Sequence, residues 1–208
     1  PLNWRSTGEE LDFYIENAEA KAIAYEEAAA EAVRSSPAAQ VCARIAVGPP
    51  GTGEIAFDAM VGATARDAEP RVGPEAFSVM LYTSGTTARP KGVPRRQRAE
   101  RAAALAHVAQ NLYRSGERTL GVMPLYHTMG VRSLLAMSLV GGAFICLPRF
   151  DAGRALDLIA TERITNLYLV PTLYHDLVHH PRFKHVDLGT VRKLGFAGHV
   201  AISVVLDS

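Results

Sequence analysis

The sequence predicts an α/β fold, with layered, mixed but mostly parallel sheets flanked by helices. Two observations carry that expectation. From residue 79 onward, apolar runs of four or five residues (79–82, 120–123, 143–147, 166–170, 193–197) alternate with helical stretches (97–113, 133–139, 152–162, 173–180). Each apolar run is also bounded by Gly, Pro or a short polar turn, as buried strands are. Strands separated by a helix have room for the crossover that parallel pairing requires.

Taken in order, the chain opens with an expected capping box from Ser6 to Glu9, ahead of Leu11, Tyr14, Ile15 and Ala18 at helical spacing. A short strand is expected over 21–25, an alanine-rich helix over 26–34, and a second strand over 41–47 after the Ser-Ser-Pro break. Gly48-Pro-Pro-Gly-Thr-Gly53 interrupts regular structure, a helix is compatible with 55–63, and 64–74 reads as a connector. The predicted organisation is therefore 1–74, one α/β subdomain ending in a linker, and 75–208, the start of a second.

The stretch around which this second part is organised is 79–93, VMLYTSGTTARPKGV, where an apolar strand opens into hydroxyl- and glycine-rich residues. Gly85 permits close backbone approach, Thr83, Ser84, Thr86 and Thr87 offer hydroxyl donors, and Lys91 adds a mobile cation. That set suits a polyanion such as the phosphate tail of a nucleotide, while a solvated Ser/Thr turn predicts the same residues. It is not a Walker A loop, because Pro90 precedes Lys91 and Gly92 follows it.

Composition narrows the function classes. Across 208 residues, 22 Lys+Arg balance 21 Asp+Glu, which argues against a general nucleic-acid binder; the local cluster Arg95, Arg96, Arg98 and Arg101 reads as a solvated helix start. No stretch is long and apolar enough for a membrane span. Cys42 and Cys146 lie far apart in apolar runs, so buried free thiols are expected rather than a disulfide, in keeping with a cytoplasmic location. The first residues, Pro-Leu-Asn-Trp, carry neither an initiator Met nor a signal-peptide pattern, so the chain is expected to begin within a longer protein. His175 and His179 sit at i and i+4, but no Glu stands where a zincin needs it and no cysteine pair is near, so a polar helix face is expected and no metal site. No G-x-S-x-G elbow marks a hydrolase.

The stretch 82–92, YTSGTTARPKG, resembles the signature loop of the AMP-forming adenylating superfamily: acyl-CoA and aryl-CoA synthetases, luciferases and peptide-synthetase adenylation domains. The opening PLNWRSTGEELDFYIENAEAKAIAY, the motif PLYHTMG at 124–130, YLVPT at 168–172 and GFAGHV at 195–200 are similar to further superfamily motifs in the same order. The likeness is nearest to bacterial benzoate-type or fatty-acid CoA ligases and covers part of their large N-terminal domain. One departure is Ala88, where the family usually carries Gly or Ser.

The resemblance implies that Thr83, Ser84, Gly85, Thr86, Thr87 and Lys91 hold the ATP phosphates, with Lys91 and His127 as the catalytic residues. It also implies an acyl and adenylate pocket walled by Tyr126, His127, Thr128, Met129, Gly130, Tyr168, Ala197, Gly198 and His199. From the residues alone His127 could equally cap a helix, Tyr168 could be core, and Gly198 could be a bare turn. The phosphate loop and His127 would share the carboxyl edge of a sheet, where ligands of α/β folds bind. Ala102, Ala103, Ala104 and Ala106 hint at a roomy acyl pocket. The implied substrates are a carboxylic acid, ATP with Mg²⁺ and CoA, with no tightly bound cofactor.

Because the family's downstream Tyr-Gly-x-Thr-Glu motif, ribose-binding Asp and C-terminal lysine do not occur in the chain, it is expected to be inactive alone. Strand edges deprived of neighbours would favour self-association, giving a homo-oligomer. The alternatives are a ligase that loads a carrier protein and a non-catalytic nucleotide-binding remnant.

Overall fold

A computed structural model of the chain describes residues 1–62, 69, 71–83 and 90–196. They divide into two compact units, Pro1–Arg95 and Arg96–Ser208. Most of the expected connector 64–74 lies outside the described residues.

The first unit begins with helix α1 (Gly8–Asn17), whose cap stands one residue later than expected. Thr7, not Ser6, adopts the extended N-cap conformation: its hydroxyl accepts from the Glu10 amide at 3.2 Å and its own amide donates to Glu10 Oε2 at 2.9 Å. Starting there places Leu11 and Ile15 one turn apart on the buried face. They pack with Val33 of α2 (Ala30–Ser35) and Ala39 of α3 (Pro37–Gln40) into a small core. Asp12 fastens α1 to α3, since its Oδ1 accepts from the Ser36 hydroxyl at 2.5 Å and the Ala38 amide at 2.9 Å.

Strands β1 (Ala22–Glu26), β2 (Ala43–Val47) and β3 (Ile55–Ala56) form a parallel sheet in that order, and α4 (Phe57–Val61) follows. The turn between β2 and β3 is closed by Glu54, which accepts from the Gly51 amide at 2.6 Å and from the Tyr25 hydroxyl. The unit ends with the paired strands β4 (Phe77–Thr83) and β5 (Lys91–Arg96). β5 departs from expectation, since the loop is expected to run to Gly92 and the arginine cluster to open a helix. Arg95 and Arg96 belong to the strand, while Arg98 and Arg101 stand exposed in the first turns of α5 (Gln97–Gln110).

In the second unit, β6 (Arg118–Gly121), β7 (Ala143–Cys146), β8 (Asn166–Leu169) and β9 (Lys193–Phe196) form a parallel sheet ordered β7-β6-β8-β9. The chain inserts α6 (Thr128–Leu139), α7 (Ala152–Thr161) and α8 (Pro171–Val178) between successive strands. Leu120, Leu167 and Leu169 bury their side chains against Leu156 and Ile159 of α7 and Leu177 of α8. On the opposite face Phe144 packs with Val108 of α5 and Met137 of α6. Tyr174 clamps α8 to the sheet, its hydroxyl lying 2.9 Å from the Leu167 carbonyl and 2.8 Å from that of Gly195.

Both cysteines are free, yet the expected burial fails: Cys42 is half-buried and Cys146 exposed. Cys146 closes β7, which among the described residues is an edge strand with a neighbour on one flank only. No described helix is long and apolar enough to cross a membrane.

Candidate functional site

In sequence, the expected phosphate loop lies between β4 and β5. Only seven residues, 84–90, join these hydrogen-bonded neighbours, too few for a parallel crossover, so the pair is a hairpin with Thr83 and Lys91 at one end. Both residues are exposed. The residues beside them pack, half-buried, on α1. The Tyr82 ring lies 4.4 Å from that of Tyr14, and the Tyr82 hydroxyl donates to Asn17 Oδ1 at 2.9 Å. Burial first, then the Tyr14 phenol, raises the Tyr82 pKa, so this donor keeps its proton.

Gly92 passes so close to the same helix end that a Cβ would stand 2.8 Å from Asn17 Oδ1 and 2.8 Å from Met80 Sδ. Asn17 therefore seats both feet of the hairpin, a role that the loop motif does not reveal. Ser84, Gly85, Thr86 and Thr87 lie outside the described residues, as do Ala197, Gly198 and His199.

In the second unit, Tyr126, His127, Thr128, Met129 and Gly130 follow β6 and run into α6. The helix starts at Thr128, five residues before the expected position, because Gly130 is helical here rather than a breaker. Its place is dictated by proximity: a Cβ would sit 2.3 Å from the Pro124 carbonyl oxygen and 2.4 Å from that of Met123. Gly130 thus brings the first turn of α6 down onto the loop, where it is buried.

His127 is the N-cap residue, extended at φ −117° and ψ 149°, with its amide donating to the Pro124 carbonyl at 3.0 Å. Its imidazole makes no capping bond, is exposed, and lies 4.6 Å from the Tyr126 ring. Thr128 and Met129 are half-buried beside it.

Tyr168 occupies the next-to-last position of β8, and the parallel register puts the β8 terminus at the same carboxyl edge as the loop after β6. Its ring lies 4.6 Å from that of His107 on α5. His107 is buried, in a stripe with Glu100 and Ala104, and an apolar-periodicity reading passes over it because two of the three side chains are polar. Burial, reinforced by the Arg132 guanidinium, lowers the His107 pKa to about 4, so its ring is neutral at physiological pH. Of the four alanines on this helix, Ala104 is buried and Ala103 half-buried, whereas Ala102 and Ala106 face solvent.

Deeper at the opposite edge of the sheet, Glu117 accepts from Lys193, from the Thr165 hydroxyl and from Asn166 Nδ2 at 3.5 Å, tying β6, β8 and β9 at their starts. Burial alone would raise the Glu117 pKa, but the bonds from Lys193 and Thr165 prevail and lower it.

Comparison with known proteins decides the kinship. The profile of the family described as "AMP-binding enzyme" matches residues 1–207. The chain belongs to this family. Among AMP-binding enzymes it is 31% identical over 200 residues to indoleacetate–CoA ligase of Aromatoleum aromaticum, which covers 93% of the chain and 39% of that ligase. It is 35% identical over 137 residues to 4-chlorobenzoate–CoA ligase of a Pseudomonas species, covering 64% of the chain and 26% of that enzyme. The chain thus spans about two fifths, or less, of the length of these relatives.

In structure, this AMP-binding chain superposes on ATP-bound MatB of Rhodopseudomonas palustris with a TM-score of 0.78 at 31% identity, over 94% of the chain and 39% of MatB. Its fold also matches the N-terminal domain of FACL13 from Mycobacterium tuberculosis, with a TM-score of 0.82 at 23% identity, over 96% of the chain and 50% of that domain.

Proposed function

We propose that the chain is the nucleotide- and acid-binding part of an AMP-forming acyl- or aryl-CoA ligase of the cytoplasm. The observation that carries this reading is a family match along residues 1–207 whose relatives include CoA ligases for indoleacetate and 4-chlorobenzoate. In the reaction, a carboxylate oxygen attacks the α-phosphorus of ATP, the bond from that phosphorus to the bridging oxygen breaks, and pyrophosphate leaves. The CoA thiolate then attacks the acyl carbon and AMP departs. Charge neutralisation and positioning account for most catalysis of this kind.

Thr83, Ser84, Gly85, Thr86, Thr87 and Lys91 would take the β and γ phosphates, which the exposed hydroxyl and ammonium at the hairpin feet suit. Mg²⁺ in this reading enters with ATP as part of the substrate. His127 would border the reacting carboxylate at the carboxyl edge of the four-stranded sheet; the phosphate loop, expected at that same edge, joins the separate pair β4 and β5. Tyr126, Thr128, Met129, Gly130, Tyr168, Ala197, Gly198 and His199 would form the pocket wall.

The experiment is ATP–pyrophosphate exchange with a panel of aryl and alkyl acids, using the reading frame extended to the relatives' length. Acid-dependent exchange that falls at least a hundredfold in Lys91→Ala and His127→Ala is the expected result. An extended protein silent with every acid would overturn the reading in favour of a nucleotide-binding remnant. The 208-residue chain by itself is expected to show no exchange.

A further inference from the structure

We infer that His107, reaching the sheet from α5, is a positioning residue for Tyr168, and that through the Tyr168 ring it sets which acids the pocket accepts. The second half of this inference rests on the function proposed above; the first half does not.

Two contacts hold the Tyr168 ring, and a third backs the imidazole that makes one of them. His107 lies against it at 4.6 Å with the planes inclined by 59°. On the neighbouring strand Gly195 leaves the space the ring fills, since a Cβ there would meet Tyr168 Cδ2 at 2.8 Å and Asn111 Oδ1 at 3.2 Å. Tyr113 backs the imidazole edge-on at 5.4 Å and 80°. A half-buried ring held this way keeps one orientation, and its free edge stands at the carboxyl end of a parallel sheet, where ligands of such folds bind.

The imidazole is itself fixed in rotation and tautomer. Asn111 Nδ2 donates to the His107 carbonyl at 2.8 Å, which turns the amide nitrogen toward Nδ1 at 3.1 Å. Nδ1 then accepts, and the proton sits on Nε2. Nε2 is buried with no hydrogen-bond partner among the described residues. An apolar ring would fill the space without that orphaned donor, which ordinarily costs about 1–3 kcal/mol. What the ring supplies to Tyr168 is therefore steric placement, not a hydrogen bond from Nε2, and an apolar ring of similar shape would supply it too.

Two measurements test this. In the chain itself, labelled tyrosine ring resonances, with Tyr168 assigned from Tyr168→Phe, report the ring's surroundings directly. His107→Ala is expected to shift and broaden the Tyr168 signals, with His107→Phe close to wild type; unchanged signals in His107→Ala, at an intact melting transition, overturn the positioning role. In the extended reading frame, exchange kinetics are measured with benzoate, 4-methylbenzoate, 4-phenylbenzoate and hexanoate.

His107→Ala is expected to change the KM ratio of large to small acids by roughly tenfold, with the KM for ATP unmoved, and the change is expected to vanish in a Tyr168→Ala background. A uniform fall in kcat with the acid ranking preserved would mean a merely structural role and overturn the specificity claim. A wild type silent with all four acids, beside shifted Tyr168 signals, sinks the function and the specificity claim with it while upholding the positioning.

Discussion

His107 is where a single side chain links the chemistry of the second unit to its stability. Its folded pKa of about 4 lies below the unfolded value near 6.5, so as pH falls the unfolded chain takes up the proton first. Stability is complete above pH ~6.5 and declines toward pH ~4, by on the order of 3 kcal/mol. Urea unfolding at pH 7, 6 and 5 is expected to show that decline, and His107→Phe to flatten it; parallel slopes would refute the assignment.

Glu117 works in the same direction, in the carboxylate range. Held below its ordinary range, it contributes stability above the unfolded carboxylate pKa, which is lost as pH falls through the folded value. Glu117→Ala strands Lys193 and the Thr165 hydroxyl, and about 3 kcal/mol should disappear from the unfolding free energy. Glu117→Leu with Lys193→Met should recover much of it, and an unchanged midpoint in the single variant would show the cluster to be incidental.

Among the elements, α6 depends most on one close approach. Gly130→Ala forces its first turn off the Met123–Pro124 backbone, since the added carbon would fall 2.3 Å from a carbonyl oxygen that cannot yield as a flexible side chain would. Thermal melting is expected to register a loss of about 1–3 kcal/mol, and His127, as the N-cap of that turn, moves with it. Proximity to another segment, not a need for φ above zero, selects glycine here.

The cap of α1 stands one residue later than expected. Ser6 and Thr7 each stand three residues before a Glu, so both fit the capping-box pattern, and only the structure shows Thr7 and Glu10 making both of its bonds. β5 was illegible because Lys91 to Arg96 alternates no apolar residues; its pairing with β4 and the close passage of Gly92 by Asn17 make it a strand.

Across the molecule, the edges of the four-stranded sheet bear on association. Leu194 and Phe196 on β9 share the face of Leu167 and Leu169, yet are 66% and 52% exposed, while their interior counterparts are buried. An edge strand with two exposed apolar side chains favours pairing with another copy. Sedimentation velocity is expected to show concentration-dependent oligomers that Leu194→Lys with Phe196→Lys disperses. A monomer at high concentration would exclude this.

Motif and period were enough to read the alternation of strands and helices, because that pattern is contiguous and its physics is local. The tertiary structure alone decided that Asn17 seats the hairpin of Tyr82, that Lys193 meets Glu117 across 76 positions, and that His107 lies on Tyr168. Those pairings depend on strand register and on the face each helix turns inward, and both are set by burying the sheet as a whole.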